Sequence, residues 1–330
     1  MKKEIKKILI IRFSSMGDIL LTTPVLAAIR REYKDSEIHF VVKKSFAEII
    51  LNNPHISKIH ILDKNESELI SDLKKENFDI IIDLHKSIRS LKFRLLLGKK
   101  SYSFPKLNFK KCLFVKFKIN LLPDIHIVDR YFKAVEKLNV KNDQKGLEFI
   151  VPNNTVLPQD LNSFLDKNTV AIAVGSKHST KQIPVEKIEE LIKFGIKKLV
   201  LLGGKDDAEK AEKIRKFSPE TIYNACGKLS LTESALALTK SKVLVTGDTG
   251  LMHLASALDV IIISIWGNTS PHFGMYPYLP NKKEKIYFFE IEGLKCRPCS
   301  KLGFETCPKK HFKCMLDHNM EEIAKIIERF

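Results

Sequence analysis

The feature that most constrains this chain is a repeated alternation of short apolar runs with amphipathic stretches. Residues 8–13 (ILIIRF), 38–42 (IHFVV), 58–62 and 79–83 (DIIID) read as strands, with helical patterns over 18–33, 46–51 and 66–76 between them. Apolar runs with no polar alternation need cover on both faces, and strand–helix–strand order points to a parallel sheet. The second half repeats the pattern. Strands fall at 169–174, 198–202, 221–224, 242–246 and 260–266, with helices at 185–194, 206–217, 231–239 and 249–258. The expected fold class is α/β: two Rossmann-like domains facing each other across an interdomain cleft. A length of 330 residues suits two domains of ordinary size. The expected boundaries are 1–150, a linker over 151–168, a second domain over 169–318, and a final helix over 319–330 placed to pack back on the first domain.

Open parallel sheets bind ligands at the carboxyl ends of their strands, so strand-to-helix turns are the candidate sites. The first turn is Arg12-Phe13-Ser14-Ser15-Met16-Gly17-Asp18. Its small residues allow a tight bend, and the helix start that follows is a place where anions bind. Asp18 stands at that start, where a plain cap aspartate is the simpler reading and a catalytic carboxylate the sharper one. The turn matches neither G-x-G-x-x-G nor the P-loop pattern. The second turn is Thr246-Gly247-Asp248-Thr249-Gly250, with His253 one helical turn further on. Its glycines let backbone approach a ligand closely. Asp248 can accept from sugar hydroxyls, and the amides after it can donate to phosphate. The third is the loop from Gly175 and Ser176 through Lys177, Ser179, Thr180 and Lys181 to Pro184. Lysines and hydroxyls there suit a diphosphate, and an exposed polar loop fits equally.

Taken together, these turns resemble glycosyltransferase family 9, the bacterial heptosyltransferases of lipopolysaccharide core assembly. The Ser-Ser-Met-Gly-Asp turn, Lys181-x-x-Pro184, Leu201-Leu202-Gly203-Gly204, the run from Asp248 to Ala255 and Trp266-Gly267-Asn268-Thr269-Ser270-Pro271 follow that family's motifs in order and spacing. The resemblance implies the GT-B architecture and inverting, metal-independent transfer from ADP-heptose to a lipid A–Kdo or core acceptor. Residues 1–150 would bind the acceptor, and residues 169–318 the nucleotide sugar. By position, Asp18 would be the general base, with Ser14, Ser15, Met16 and Gly17 on the acceptor side. Lys181 would serve catalysis by holding the diphosphate. Gly175, Ser176, Thr180, Glu209, Leu229, Asp248, Thr249, Gly250 and His253 would line the donor site. Such transfer needs a base on the acceptor side and stabilisation of the leaving diphosphate. The chain departs from the pattern at Gln182-Ile183, where many members read Arg-Trp, and at Val174-Gly175-Ser176, where Pro-Gly-Ala is common. Both departures touch the donor side.

Charge and cysteine content bear on partners. The net charge is +17. Residues 84–123 hold eleven Lys or Arg and no Asp or Glu, interleaved with Phe93, Phe104, Phe109, Phe114 and Phe117. Such a segment suits an anionic membrane surface carrying a phosphorylated glycolipid acceptor, and a solvated helix face fits the same residues. No apolar run approaches the roughly 18 to 20 residues that span a bilayer, and the N-terminus lacks a signal-cleavage pattern. The expected place is the cytoplasm, with peripheral contact on the inner membrane. No nucleic-acid-binding motif accompanies the charge. A basic nucleic-acid binder and a nucleotide-sugar epimerase on the same fold are the alternatives to a transferase. Finally, Cys296-x2-Cys299-x7-Cys307-x6-Cys314, with His311 nearby, leaves structural zinc, an iron–sulfur cluster, a disulfide and plain buried thiols open.

Overall fold

The structure is a computed structural model and describes residues 5–330. In chain order it runs β1 (Lys7–Ile11), α1 (Met16–Leu20), α2 (Thr23–Glu32), β2 (Glu37–Lys43), β3 (Lys58–Leu62), α3 (Glu66–Lys75), β4 (Ile80–Asp83), α4 (Ile88–Leu97), β5 (Lys100–Ser103), α5 (Asn108–Phe117), α6 (Ile127–Phe132) and α7 (Gln159–Phe164). Then follow β6 (Val170–Ala173), α8 (Val185–Lys193), β7 (Leu199–Leu202), α9 (Ala208–Arg215), β8 (Ile222–Asn224), α10 (Leu231–Thr239), β9 (Val243–Thr246), α11 (Gly250–Ala257), β10 (Ile262–Trp266), β11 (Ile286–Glu290), α12 (Lys313–Leu316) and α13 (Met320–Glu328).

The strands form two sheets, ordered β3-β2-β1-β4-β5 and β11-β10-β9-β6-β7-β8. Every strand pairing is parallel. Read outward from β1 and from β6, each order is the doubly wound one, with the switch point beside the first strand of the unit. That places the turns after β1 and β4 together in the first unit, and those after β6 and β9 together in the second. The central strands are buried on both faces; Ile8, Leu9, Ile10 and Ile11 are each 0% exposed. Both units are therefore the α/β, Rossmann-like type that the sequence implied.

Three details differ from the sequence reading. The helix expected over 18–33 is broken into α1 and α2. The hydroxyls of Thr22 and Thr23 donate to the carbonyls of Ile19 and Leu20, and Pro24, with no amide hydrogen, can only begin a new helix. The segment Leu107–Asp124 belongs with the second unit, not with residues 1–150. Its Phe114 ring packs edge-on against Phe273, and Lys118 Nζ donates to the carbonyls of Cys296 and Pro298. The closing helix α13 packs within the second unit. Its Ile323, Ala324, Ile326 and Ile327 join the core of the second unit, against Ile188 and Leu191 of α8.

Candidate active site

In the first unit, the turn after β1 is organised around Arg12. This side chain is nearly buried, at 6% exposure. Its guanidinium donates to the carbonyl of Ser14 at 2.7 Å, the carbonyl of Leu84 at 2.6 Å and the Tyr131 hydroxyl at 3.0 Å. The remaining nitrogen pairs with Asp18 Oδ1 at 2.6 Å. Burial works against the arginine charge, but Asp18, Tyr131 and Asp83 together outweigh it and the guanidinium pKa is raised. Asp18 Oδ2 accepts from the Ser15 hydroxyl at 2.7 Å and from the Ser15 amide at 3.3 Å. Asp18 is thus both a helix cap and a carboxylate fixed by a buried cation.

A cavity of about 600 Å³ adjoins this turn, lined by Phe13, Ser14, Lys43, His85, Arg89 and Lys92 among others. Glu66 pairs with Arg89 and Lys92 at its edge, at 2.8 and 3.1 Å. Lys44 and Lys64 extend the basic lining into a neighbouring depression. His85 packs its ring 5.0 Å from Phe13, and its Nδ1 is buried with no hydrogen-bond partner among the described residues. Burial, and then the Arg12 charge, push His85 down to about 4, so it is neutral near pH 7.

In the second unit, Lys181 and Asp248 come together. Lys181 Nζ lies 2.7 Å from Asp248 Oδ2, which also accepts from the Thr269 hydroxyl at 3.0 Å. Gly247 makes this possible: a Cβ there would stand 2.1 Å from the Lys181 carbonyl oxygen. Thr249 caps α11 and shares a 2.9 Å hydroxyl contact with Thr246. Gly175 is needed for a similar reason, because a Cβ would fall 1.8 Å from Asp207 Oδ2, which accepts from the Gly204 amide at 2.8 Å. Lys210 ties the loop down by donating to the carbonyls of Val174 and Ile183 and to Gln182 Oε1, at 3.3, 2.8 and 3.1 Å. Burial lowers its pKa to about 8.

Some expected donor residues are placed otherwise. Thr180 is 2% exposed, and its hydroxyl both donates to the Phe304 carbonyl and accepts from the Phe304 amide. It has no capacity left for a diphosphate and acts as a latch. His253 is 3% exposed and so does not line an open surface. Glu209 is turned along α9 to Lys213 at 2.8 Å and is exposed. Leu229 is half-buried in the connection from β8 to α10.

The cysteines are all free thiols. Among the four at 296–314, burial and then the neighbouring Cys296 push the Cys299 thiol up to about 11, and Cys296 Sγ lies 3.8 Å from His311 Nε2. Among the described residues, the set of three ligand side chains converging within 4.8 Å is His39, His60 and Glu76. The cysteine segment also works as a clasp. Phe304 holds Thr180, and Glu305 meets Ser179 at 3.4 Å and His178 at 3.6 Å. Arg297 donates to the carbonyls of Gly267 and Thr269, and the Cys299 amide to the carbonyl of Asn268. It thereby fastens the two turns that carry Lys181 and Thr269, both partners of Asp248. Asn268, 2% exposed, leaves its side-chain amide unpartnered among the described residues, ready for a ligand group or a water.

Sequence reasoning gave no site role to Arg12, Tyr131, His85, Asp207, Lys210 and Thr269, although Arg12 and Thr269 stand inside its motifs. The only available signal was their position beside motif residues, and Tyr131 had none.

Solved structures share the fold. The glycosyl transferase family 9 protein of Veillonella parvula matches with a TM-score of 0.75 at 22% identity, covering 100% of this chain and 98% of that one. The E. coli heptosyltransferase WaaC, solved with ADP, matches with a TM-score of 0.68 at 21% identity, covering 98% and 99%. The molecule thus has the two-domain α/β architecture of the GT-B fold. The model of glycosyltransferase family 9 (heptosyltransferase) matches residues 67–302, and the chain belongs to that family. Lipopolysaccharide heptosyltransferase 1 of Campylobacter coli is 28% identical over 302 residues, which cover 84% of this chain and 88% of that protein.

Proposed function

We propose that this glycosyltransferase moves a heptose from ADP-heptose to a lipopolysaccharide core acceptor of the lipid A–Kdo type. In this reading transfer inverts the anomeric carbon and needs no catalytic metal. The observation that carries it is the pose of Asp18, fixed by Arg12 and Ser15 beside a basic cavity of about 600 Å³. A fixed carboxylate suits proton removal from an acceptor hydroxyl, and Lys43, Arg89 and Lys92 suit the anionic groups of such an acceptor.

The steps follow from the residues. Asp18 takes the proton of the acceptor hydroxyl as its oxygen attacks the anomeric carbon from the face opposite the diphosphate. The bond to the ADP oxygen breaks, and charge grows on the leaving diphosphate. Lys181 and the amides of Thr249 and Gly250 at the start of α11 stabilise that charge. Asp248, released from Lys181 by the donor, accepts from heptose hydroxyls. Gly175 and Ser176 line the diphosphate, the Leu229 main chain meets the base, and Glu209 is the candidate for the ribose.

Peripheral contact with the anionic inner membrane completes the reading. On α4, Ile88 and Leu95 are 90% and 71% exposed, beside Arg89 and Lys92. Among the described residues no helix is long and apolar enough to cross a membrane.

The test is a thermal-shift panel of ADP-, UDP-, GDP- and dTDP-sugars, followed by NMR of the product linkage. ADP-heptose alone is expected to stabilise strongly, and the product anomer to be inverted relative to the donor. Preference for a uridine sugar, or retention, would remove the proposed donor or mechanism. Release of free sugar without acceptor would favour the epimerase-like alternative.

A further inference from the structure

Away from both turns, one group in the first unit has the make-up of a metal site. β2 and β3 pair with His39 opposite Lys58 and Val41 opposite His60. The two-residue alternation of a strand puts both imidazoles on one face, together with Val41 and Leu62. That face is covered by Leu69, Ile70 and Leu73 of α3. His39 is 1% exposed and His60 8%. Their facing nitrogens, His39 Nδ1 and His60 Nε2, stand 2.9 Å apart. Glu76, at the end of α3, brings a carboxylate oxygen within 4.8 Å of both. The Phe78 ring stands edge-on to the two imidazoles, with centroids 5.1 and 6.3 Å away, and wedges them in place.

The outer nitrogen of His39 adds a second observation. His39 Nε2 lies 3.1 Å from the Glu37 carboxylate. An ionised carboxylate only accepts, so neutral His39 carries its proton on Nε2 and turns the lone pair of Nδ1 inward. A carboxylate behind a histidine is the outer support that metal-ligating imidazoles usually have, because it fixes the tautomer and raises ligand basicity. Bonds of about 2.05 Å in a tetrahedral site separate two nitrogens by about 3.3 Å, so the pair needs to open by only ~0.4 Å.

We propose that His39, His60 and Glu76 bind one divalent cation of the zinc class, with Glu37 orienting His39. Two imidazoles and one carboxylate are a donor set for zinc, cobalt or nickel rather than for magnesium or calcium. Glu76 also pairs with Lys7 at 3.2 Å and with Lys58. Both lysines reach solvent, so the cation competes with them for the carboxylate and binds less tightly than a fully dedicated cage. Its effect is structural: it cross-links edge strand β3 and the end of α3 to β2, apart from the residues that carry transfer.

The experiment is a cobalt(II) titration of the full-length chain, followed by visible absorption and thermal melting. The four cysteines at 296–314 are the competing ligands, so the titration is run in a Cys296→Ser/Cys299→Ser background. The expected result is one equivalent of cobalt with visible ligand-field bands, no thiolate-to-cobalt charge-transfer band, and a raised Tm. His60→Gln and Glu76→Gln, each in that background, should lose the equivalent and the Tm rise. Uptake unchanged in either variant, or no uptake in the background protein, overturns the proposal. Should His60→Gln fail to fold, Glu76→Gln at the half-buried helix end decides alone.

Discussion

Replacing Gly247 by alanine should damage donor binding through a single contact. The added Cβ would lie 2.1 Å from the Lys181 carbonyl oxygen, and nothing in ordinary packing approaches so closely. Relief requires the Lys181 backbone, the Asp248 turn or both to move by about 1 Å, since ordinary carbon–oxygen contacts begin a little above 3 Å. Lys181 and Asp248 are the ion pair at 2.7 Å, so that shift falls on the two groups assigned to the diphosphate and the sugar. Overpacking of this kind costs about 1–3 kcal/mol in stability. A displacement of about 1 Å at a positioned group costs on the order of 100-fold in rate. The assay pairs calorimetric titration of ADP with kcat/KM for transfer and a Tm for folding. The expected pattern is a folded protein with Tm lowered by several degrees, ADP affinity down by at least tenfold and kcat/KM down by about 100-fold. A Gly247→Ala protein that binds ADP within twofold of wild type would refute the account of this turn.

Other expectations follow from the same geometry. Arg12→Met leaves the Asp18 carboxylate facing a lost cation and should cost about 3 kcal/mol by denaturant unfolding, with transfer largely abolished. Thr180→Val removes both hydroxyl bonds to Phe304 and should cost about 1–3 kcal/mol. It should also speed alkylation of Cys299, whose thiol burial pushes up to about 11, as read by mass spectrometry. Lys210 has its pKa lowered to about 8 by burial, so between pH 8 and 10.5 the unfolded chain binds more protons and the penalty for burying the charge is relieved as pH rises. Denaturant titrations should show stability gaining across that window in wild type, and less so in Lys210→Met. Binding to phosphatidylglycerol vesicles should weaken with salt, and further in an Ile88→Ser/Leu95→Ser variant, while duplex DNA should not compete at physiological ionic strength.

Much of the fold was legible because burial on both faces leaves strands wholly apolar, as in 8–11 and 199–202. The two edge strands β5 and β11 were missed for the converse reason. Lys-Ser-Tyr-Ser is polar and partly exposed, and Ile-Tyr-Phe-Phe-Glu lacks a helix between it and β10. Asp18 and Asp248 were legible because small residues beside an acid mark a turn that can approach a ligand. Arg12 was not, since a buried arginine resembles an interruption in a strand and its partners Leu84 and Tyr131 lie 72 and 119 residues away. Thr180 misled because a hydroxyl beside lysines reads as a phosphate ligand, and only the fold shows Phe304 already using it.

The central claim is that Asp18 removes the proton from the acceptor hydroxyl. Single-turnover transfer by Asp18→Asn, with ADP affinity measured on the same preparation, tests it most directly. The account predicts ADP binding within about twofold of wild type and a chemical step slowed by roughly 10²- to 10⁴-fold, because the amide cannot take the proton of the acceptor hydroxyl. A chemical step within a few-fold of wild type would contradict it.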